Sequence, residues 1–158
     1  MSAWTRGVVA SACLALLAGC SDSDDGGSDP AELSPADRSA CEAFVDDLPE
    51  TLDGEEATGT EPLGRTYGDP EIRVVCGVES PEGFTSASQC EVANGVGWYA
   101  PAEQYDDQSA DVTIYAVTYH PVVELRLPAA YRPNGLAAAL AELAGPVKRH
   151  LSKRHDCI

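Results

Sequence analysis

The amino-acid sequence predicts an α+β domain: a mainly antiparallel sheet with an N-terminal and a C-terminal helix packed on it, cross-linked by two disulfides. Three observations carry this. Apolar residues recur at helical spacing over residues 35–48 and 134–151, short runs of strand-forming residues lie between them, and four cysteines fall beyond residue 40.

The chain opens differently. Met1 to Arg6 carries one positive charge and Gly7 to Leu17 is an almost unbroken apolar run, the profile of a signal peptide over residues 1–19. The run is shorter than the roughly 20 residues a helix needs to cross a bilayer. It ends in Leu17-Ala18-Gly19-Cys20, which resembles the lipobox of bacterial lipoproteins, where the cysteine thiol becomes a thioether to diacylglycerol. Lipidation of Cys20 is therefore expected, holding the protein at the extracytoplasmic face of the cell membrane. Two acyl chains anchor stably at roughly 0.8 kcal/mol per buried methylene. The plainer alternative is an ordinary secretory cut with Cys20 incidental.

Residues 20–34 follow as the lipidated cysteine and an acidic tether. Ser21 to Ser34 holds five acidic residues, no basic ones and almost nothing to bury, which predicts disorder. Its fourteen residues reach about 45 Å when fully extended. Asp22-Ser23-Asp24-Asp25-Gly26-Gly27 superficially matches the start of a calcium loop, with Gly27 in the turn position. Position five is Gly26, however, and position twelve is Leu33 instead of Glu, so no calcium site is expected.

Residues 35–158 have the size of one compact domain. Loss of Arg6 with the leader takes the formal charge from −16 to −17, so a phosphate backbone is repelled and nucleic acid is not an expected partner. Cys41, Cys76, Cys90 and Cys157 form an even set in an exported domain and read as two disulfides, with three connectivities open on spacing alone. A zinc site is the rival reading. It lacks a C-x-x-C pair, and His150 and His155 lie on a basic segment that would repel a cation, so neither metal nor cofactor is expected.

Within the domain, Ser34-Pro35-Ala36-Asp37 is a helix start, with Ser as N-cap, Pro at the first position and an acid at the third. The helix runs to Leu48, burying a stripe of Cys41, Phe44, Val45 and Leu48, and Pro49 stops it. Thr51 to Glu61 is acidic with two glycines and reads as a loop. Arg65 to Tyr67 and Ile72 to Cys76 are strands around the turn triplet Gly68-Asp69-Pro70. Glu79 to Ser88 is a second loop. Glu91 to Tyr99 is a strand candidate interrupted by Asn94-Gly95. Asp111 to Tyr119 alternates, with Val112, Ile114, Ala116 and Thr118 on one face, and Val122 to Leu127 is the last strand. Asn134 to Leu151 is the second helix, with Leu136, Leu140, Leu143, Val147 and Leu151 at helical spacing and Gly145-Pro146 expected to kink or split it. Lys148, Arg149, Lys153 and Arg154 crowd its end, where positive charge complements the helix dipole. Contact with anionic lipid is the functional alternative for this basic end.

From Cys41 onward the chain resembles an actinobacterial family of unknown function, DUF3515, whose members are predicted lipoproteins or secreted proteins. The resemblance rests on Cys41 with Leu48-Pro49, on Tyr67-Gly68-Asp69-Pro70 leading into Val74-Val75-Cys76-Gly77-Val78, on Val92 to Trp98, and on Val123 to Pro128. In that family the aromatic before Gly-Asp-Pro is usually Trp, and an Arg often stands where this chain has Tyr119, so no role of that Arg carries over. The family pattern holds the first cysteine and the Cys-Gly cysteine, which implies a Cys41–Cys76 bridge and leaves Cys90–Cys157. It implies no activity.

No catalytic constellation is present: there is no G-x-S-x-G, H-E-x-x-H or phosphate-binding glycine loop, and His120 beside Pro121 reads as a strand-end or loop residue. The expected function is that of a non-catalytic module binding an envelope protein or a cell-wall component. Trp98, Tyr99, Tyr105 and Tyr119 are its candidate binding surface, since aromatic anchors concentrate at interfaces. Core packing is the bland account of the same residues. The competing class is a cell-envelope hydrolase with a carboxylate site, for which 26 acidic residues offer many pairs.

Overall fold

The computed structural model describes residue 1 and residues 31–157. The expected leader, Cys20 and the acidic segment through residue 30 lie outside the described residues.

Helix α1 spans Pro35–Asp46, and the Ser34 hydroxyl accepts the Asp37 N–H at 3.1 Å as the capping pattern predicts. Its stripe is buried at Cys41, Phe44 and Leu48, with Val45 packed at the margin. The carbonyls beyond its end are not left to solvent: the Arg65 guanidinium donates to Leu48 O at 2.8 Å and the buried Tyr67 hydroxyl donates to Pro49 O at 3.0 Å. Burial raises the Tyr67 pKa above its ordinary value of 10.0, keeping that donor protonated. The chain also begins on the domain earlier than residue 35. Ala31 N–H donates to Gly77 O at 2.8 Å and Leu33 packs against the core, so the last residues assigned to the tether are already docked.

Thr51 to Glu61 is a hairpin, not a loop. Strands β1 (Thr51–Leu52) and β2 (Glu55–Glu61) join through Asp53-Gly54, both at positive φ, which is the type I′ geometry that two-residue hairpins favour. Composition hid it because β2 is largely exposed on both faces and so shows no apolar alternation. Strands β3 (Gly64–Tyr67) and β4 (Ile72–Val78) follow as expected around Gly68-Asp69-Pro70. Glu91 to Tyr99 is a second small hairpin, β5 (Glu91–Ala93) and β6 (Val96–Trp98), turned at Asn94-Gly95. Then come the short helix α2 (Glu103–Asp106), which sequence reading missed, and β7 (Val112–Tyr115). The predicted strand 111–119 therefore breaks at Tyr115, and Tyr119–His120 forms β8 elsewhere. Its alternation holds as far as Ala116, with Val112, Ile114 and Ala116 buried between the partly exposed Thr113 and Tyr115, and ends there, since Val117, Thr118 and Tyr119 are all buried.

Strand β9 (Val122–Leu127) enters between β4 and β7 to complete a six-stranded antiparallel sheet of order β1-β2-β3-β4-β9-β7, curled into a half-barrel. Gly77 sits at φ +88° where the β4–β9 register shifts, and a side chain there would collide with Leu33. Helix α3 (Arg132–His150) runs unsplit through Pro146. Interior proline costs about 3 kcal/mol. Leu143 and Val147 are fully buried on either side of it, each contributing roughly 1.5–3 kcal/mol, and this burial outweighs the break. The chain ends in one more strand than predicted, β10 (Ser152–Lys153), paired with β8.

Helices α1 and α3 pack on each other and on one face of the sheet, α1 over β4 and α3 over β9, β5 and β6. On the opposite face Arg73 bridges Glu61 at 2.8 Å and the buried Glu124 at 3.5 Å, beside a small cluster of Val75, Val78 and Val122. Two disulfides fasten the layers, Cys41–Cys76 between α1 and β4 and Cys90–Cys157 between the start of β5 and the C-terminal tail. This is the pairing that the family resemblance implies.

Replacing Cys41 and Cys76 together by Ala is expected to lower the unfolding free energy by about 2–5 kcal/mol in urea titrations; an unchanged midpoint would show that packing alone holds α1 on β4. The helix ends yield a second expectation. The Asp47 carboxylate accepts Arg149 at 2.6 Å and His150 at 2.9 Å, and these hydrogen bonds, Arg149's first, hold its pKa below the ordinary 3.8. A depressed carboxyl stabilises the fold above the unfolded value and loses that effect as pH falls through the folded one. Asp47→Asn is thus less stable than the wild type at pH 6, and the two urea midpoints converge as pH drops below about 3.8. A gap that persists there would assign the effect to packing.

Candidate functional site

The described surface holds an open cleft of about 420 Å³ where three connections meet. One wall is the loop after β4, contributing Pro81, Glu82 and Gly83; the other is Pro101 with Glu103 at the head of α2. The floor carries two tyrosines. Tyr99 and Tyr115 exchange both backbone hydrogen bonds, at 2.9 and 2.8 Å, in an isolated antiparallel bridge, and such a pairing sends both side chains to the same side.

The walls are held from behind. Phe84 sets its ring edge-on to Tyr99 with centroids 5.2 Å apart and stacks on His155 at 5.8 Å, so the 79–90 loop is clamped between the floor and the C-terminal tail. The Cys90–Cys157 bridge joins the end of that loop to the same tail. Behind α2 lies Arg132, only 6% exposed, whose guanidinium donates to the carbonyls of Gln104, Asp107 and Ala110. Gln104 in turn accepts the Thr113 N–H at 2.7 Å, which closes the free edge of β7 ahead of the tyrosine bridge.

Of the aromatic residues proposed from sequence, the fold brings only some to a surface. Trp98 is 0% and Tyr119 7% exposed, so both belong to the core and the reading of them as a binding surface is corrected. The reason is their register: Trp98 ends β6 beneath α3, and Tyr119 pairs with Lys153 across β8–β10. Tyr99 is half-buried and lines the cleft, and Tyr105 is exposed beside it on α2. Partial burial first, then the nearby Glu91 carboxylate, raises the Tyr105 pKa above 10.0. Tyr115, Phe84, Glu82 and Glu103 were not singled out from sequence. A long connection containing Pro81-Glu82-Gly83-Phe84 was the available signal, since loops of this length without regular structure often carry function.

Among the described residues the acidic or basic side chains lining the cleft are two carboxylates, Glu82 and Glu103, and both are exposed. The histidines stand apart from the lining. His120 lies 3.4 Å from Asp37, His150 is engaged by Asp47, and His155 backs Phe84. No group of three or more His, Cys, Asp or Glu among the described residues is placed to hold a metal ion. The lining therefore combines two tyrosines, two prolines and two carboxylates.

The fold and its cross-links define a disulfide-bonded α+β domain with a tyrosine-floored cleft at one corner of the sheet. Over residues 5–155 the chain matches the family described as Protein of unknown function (DUF3515), and it belongs to that family. No curated protein and no solved structure gives a significant match.

Arg132→Met removes three hydrogen bonds and leaves their carbonyls to find new partners. A loss of about 1–3 kcal/mol is expected, together with faster amide exchange across residues 104–110 than in α1. Exchange that stays unchanged across 104–110 would show that α2 is held by other contacts.

Proposed function

We propose that this is a lipid-anchored protein of the cell envelope whose extracytoplasmic domain is a non-catalytic binding module, with the Tyr99–Tyr115 cleft as its recognition site. The cleft itself is the observation that carries the binding reading. It is concave and within the size range of ligand sites, it is walled by rigid aromatic and proline faces, and its frame is preorganised by a disulfide and a buried Arg.

Support for the address is of a different kind. The Leu17-Ala18-Gly19-Cys20 sequence follows a short apolar run, the family match begins at residue 5 and so takes in that segment, and both disulfides are consistent with an oxidising compartment. Among the described residues no helix is long and apolar enough to cross a membrane.

A second reading keeps one observation in its favour: Glu82 and Glu103 line the same cleft, as a hydrolase pair would. Against it, a carboxylic acid that protonates a leaving group works from a desolvated pocket, whereas both of these side chains are exposed.

The test is affinity capture of the native, membrane-extracted protein followed by mass spectrometry, beside Cys20→Ala and Tyr99→Ala variants. The expected result is a diacylated N-terminal peptide, a Cys20→Ala protein that leaves the membrane fraction, and a stoichiometric envelope partner lost on Tyr99→Ala. Retention of Cys20→Ala in the membrane would remove the lipid anchor from the account. Turnover of a cell-wall polymer that disappears in Glu82→Gln would replace the binding module with the hydrolase.

A further inference from the structure

We infer that the cleft receives a cationic segment of a polypeptide, a lysine or arginine side chain laid over the tyrosine floor between Glu82 and Glu103, on a partner held close to the membrane. The inference rests on the binding-module reading and names the chemistry of its ligand.

The lining selects by charge. Its two carboxylates come from different elements, one on the loop after β4 and one on α2, and among the described residues no Lys or Arg lines the cleft. A cation entering there meets two carboxylates beside the rings of Tyr99 and Tyr115, and aromatic quadrupoles attract ammonium and guanidinium groups. The surroundings reinforce this, since Glu91 lies near Tyr105 beside the cleft and the whole chain carries a formal charge of −16. That field concentrates cations and repels phosphate-rich polymers and anionic headgroups. A neutral sugar would use the aromatic floor but gain nothing from the field.

Recognition must go through side chains. At the cleft the edge of β7 is already occupied, Tyr115 by Tyr99 and Thr113 by Gln104, so a ligand cannot add itself as a further strand. Pro81 and Pro101 give flat, rigid walls against which an extended segment can lie.

Distance confines the partner. Ala31 bonds Gly77 on the domain, and Pro81 is four residues further along. Eleven residues from Cys20 to Ala31 and those four span at most roughly 50 Å when extended. A lipidated Cys20 therefore keeps the cleft within that distance of the bilayer, among the membrane-proximal segments of other proteins.

The experiment uses the full protein extracted in detergent and fluorescence anisotropy of a labelled peptide of alternating lysine and proline. Its companions are the same peptide with norleucine for lysine and a labelled tetramer of N-acetylglucosamine. Saturable binding is expected only for the lysine peptide, weakening with salt, and at least about tenfold weaker for Glu82→Gln/Glu103→Gln and for Tyr99→Ala. Glu42→Gln/Asp46→Asn, the same loss of charge at exposed positions on α1, leaves it unchanged. Equal weakening by the two double variants would overturn the inference in favour of diffuse attraction. Saturable binding of the norleucine peptide or the sugar that Tyr99→Ala abolishes would overturn the charge selection while leaving the binding module standing. If no probe gives binding sensitive to Tyr99→Ala, the cleft falls as a recognition site and both readings go with it.

Discussion

Helix α1 is short, and an isolated helix of its length is marginal in water. What holds it is the covalent bond from Cys41 to Cys76, both fully buried, which fastens its apolar stripe to a central strand of the sheet. Much of the helical layer follows from that attachment. With α1 set over β4, α3 packs beside it and over β9, and the two helices lock at their ends through Asp47 with Arg149 and His150. The same α3 reaches the outer hairpin, where Glu142 accepts the Asp53 N–H at 3.1 Å. The docking of Ala31 and Leu33 is also set here, since both meet Gly77, the residue after Cys76.

The second bridge acts on the irregular part of the molecule. Residues 79–90 form no strand or helix, and a connection of that length would ordinarily sample many conformations. Three contacts prevent this: Cys90 bonded to Cys157, Phe84 against Tyr99, and Phe84 against His155. The C-terminal tail is itself placed by β10 pairing with β8 and by Arg154 N–H donating to Thr118 O at 2.8 Å. One cleft wall thus borrows its rigidity from a distant part of the chain and the other from a buried Arg on α3. In a cleft so framed the walls are ordered before any ligand arrives, which is what lowers the entropic cost of association in a preorganised site.

Elements with one buried face could be read directly from the sequence. The α1 stripe and the alternation of Val112, Ile114 and Ala116 each have a period that burial imposes. Elements without a buried face could not. β2 reads as a polar loop because water reaches most of it, and its only local signal was the Asp53-Gly54 turn. Tertiary context decided the rest: Pro146 breaks the helical pattern locally but not once Leu143 and Val147 are in the core, and Trp98 could not be assigned to core or surface before its neighbours were known. The cleft was illegible for the same reason. Pro81, Tyr99, Glu103 and Tyr115 are spread along the chain, and they come together through the Tyr99–Tyr115 bridge, the Arg132 clamp and the Phe84 and Cys90 contacts of the 79–90 loop.

Net charge looked at first like a bulk property, yet its distribution bears on the site. The basic side chains are largely spent inside the domain: Arg65 and Arg132 on carbonyls, Arg73 on Glu61 and Glu124, Arg126 on Asp111, Lys148 on Asn94 O, Arg149 on Asp47 and Lys153 on Asp156. A cation already engaged does little to offset a carboxylate elsewhere at physiological salt, where screening acts over about 8 Å. Lys148 and Arg149 in the last turn of α3 and Lys153 in β10, read from sequence as complementing the helix dipole with anionic lipid as the alternative, each have an internal partner. Two of the remaining acids, Glu82 and Glu103, line the cleft together with the tyrosines. An acidic domain can remain soluble with charge spread anywhere on its surface, but charge bears on recognition only where it lines a cleft, and that is where these two carboxylates stand.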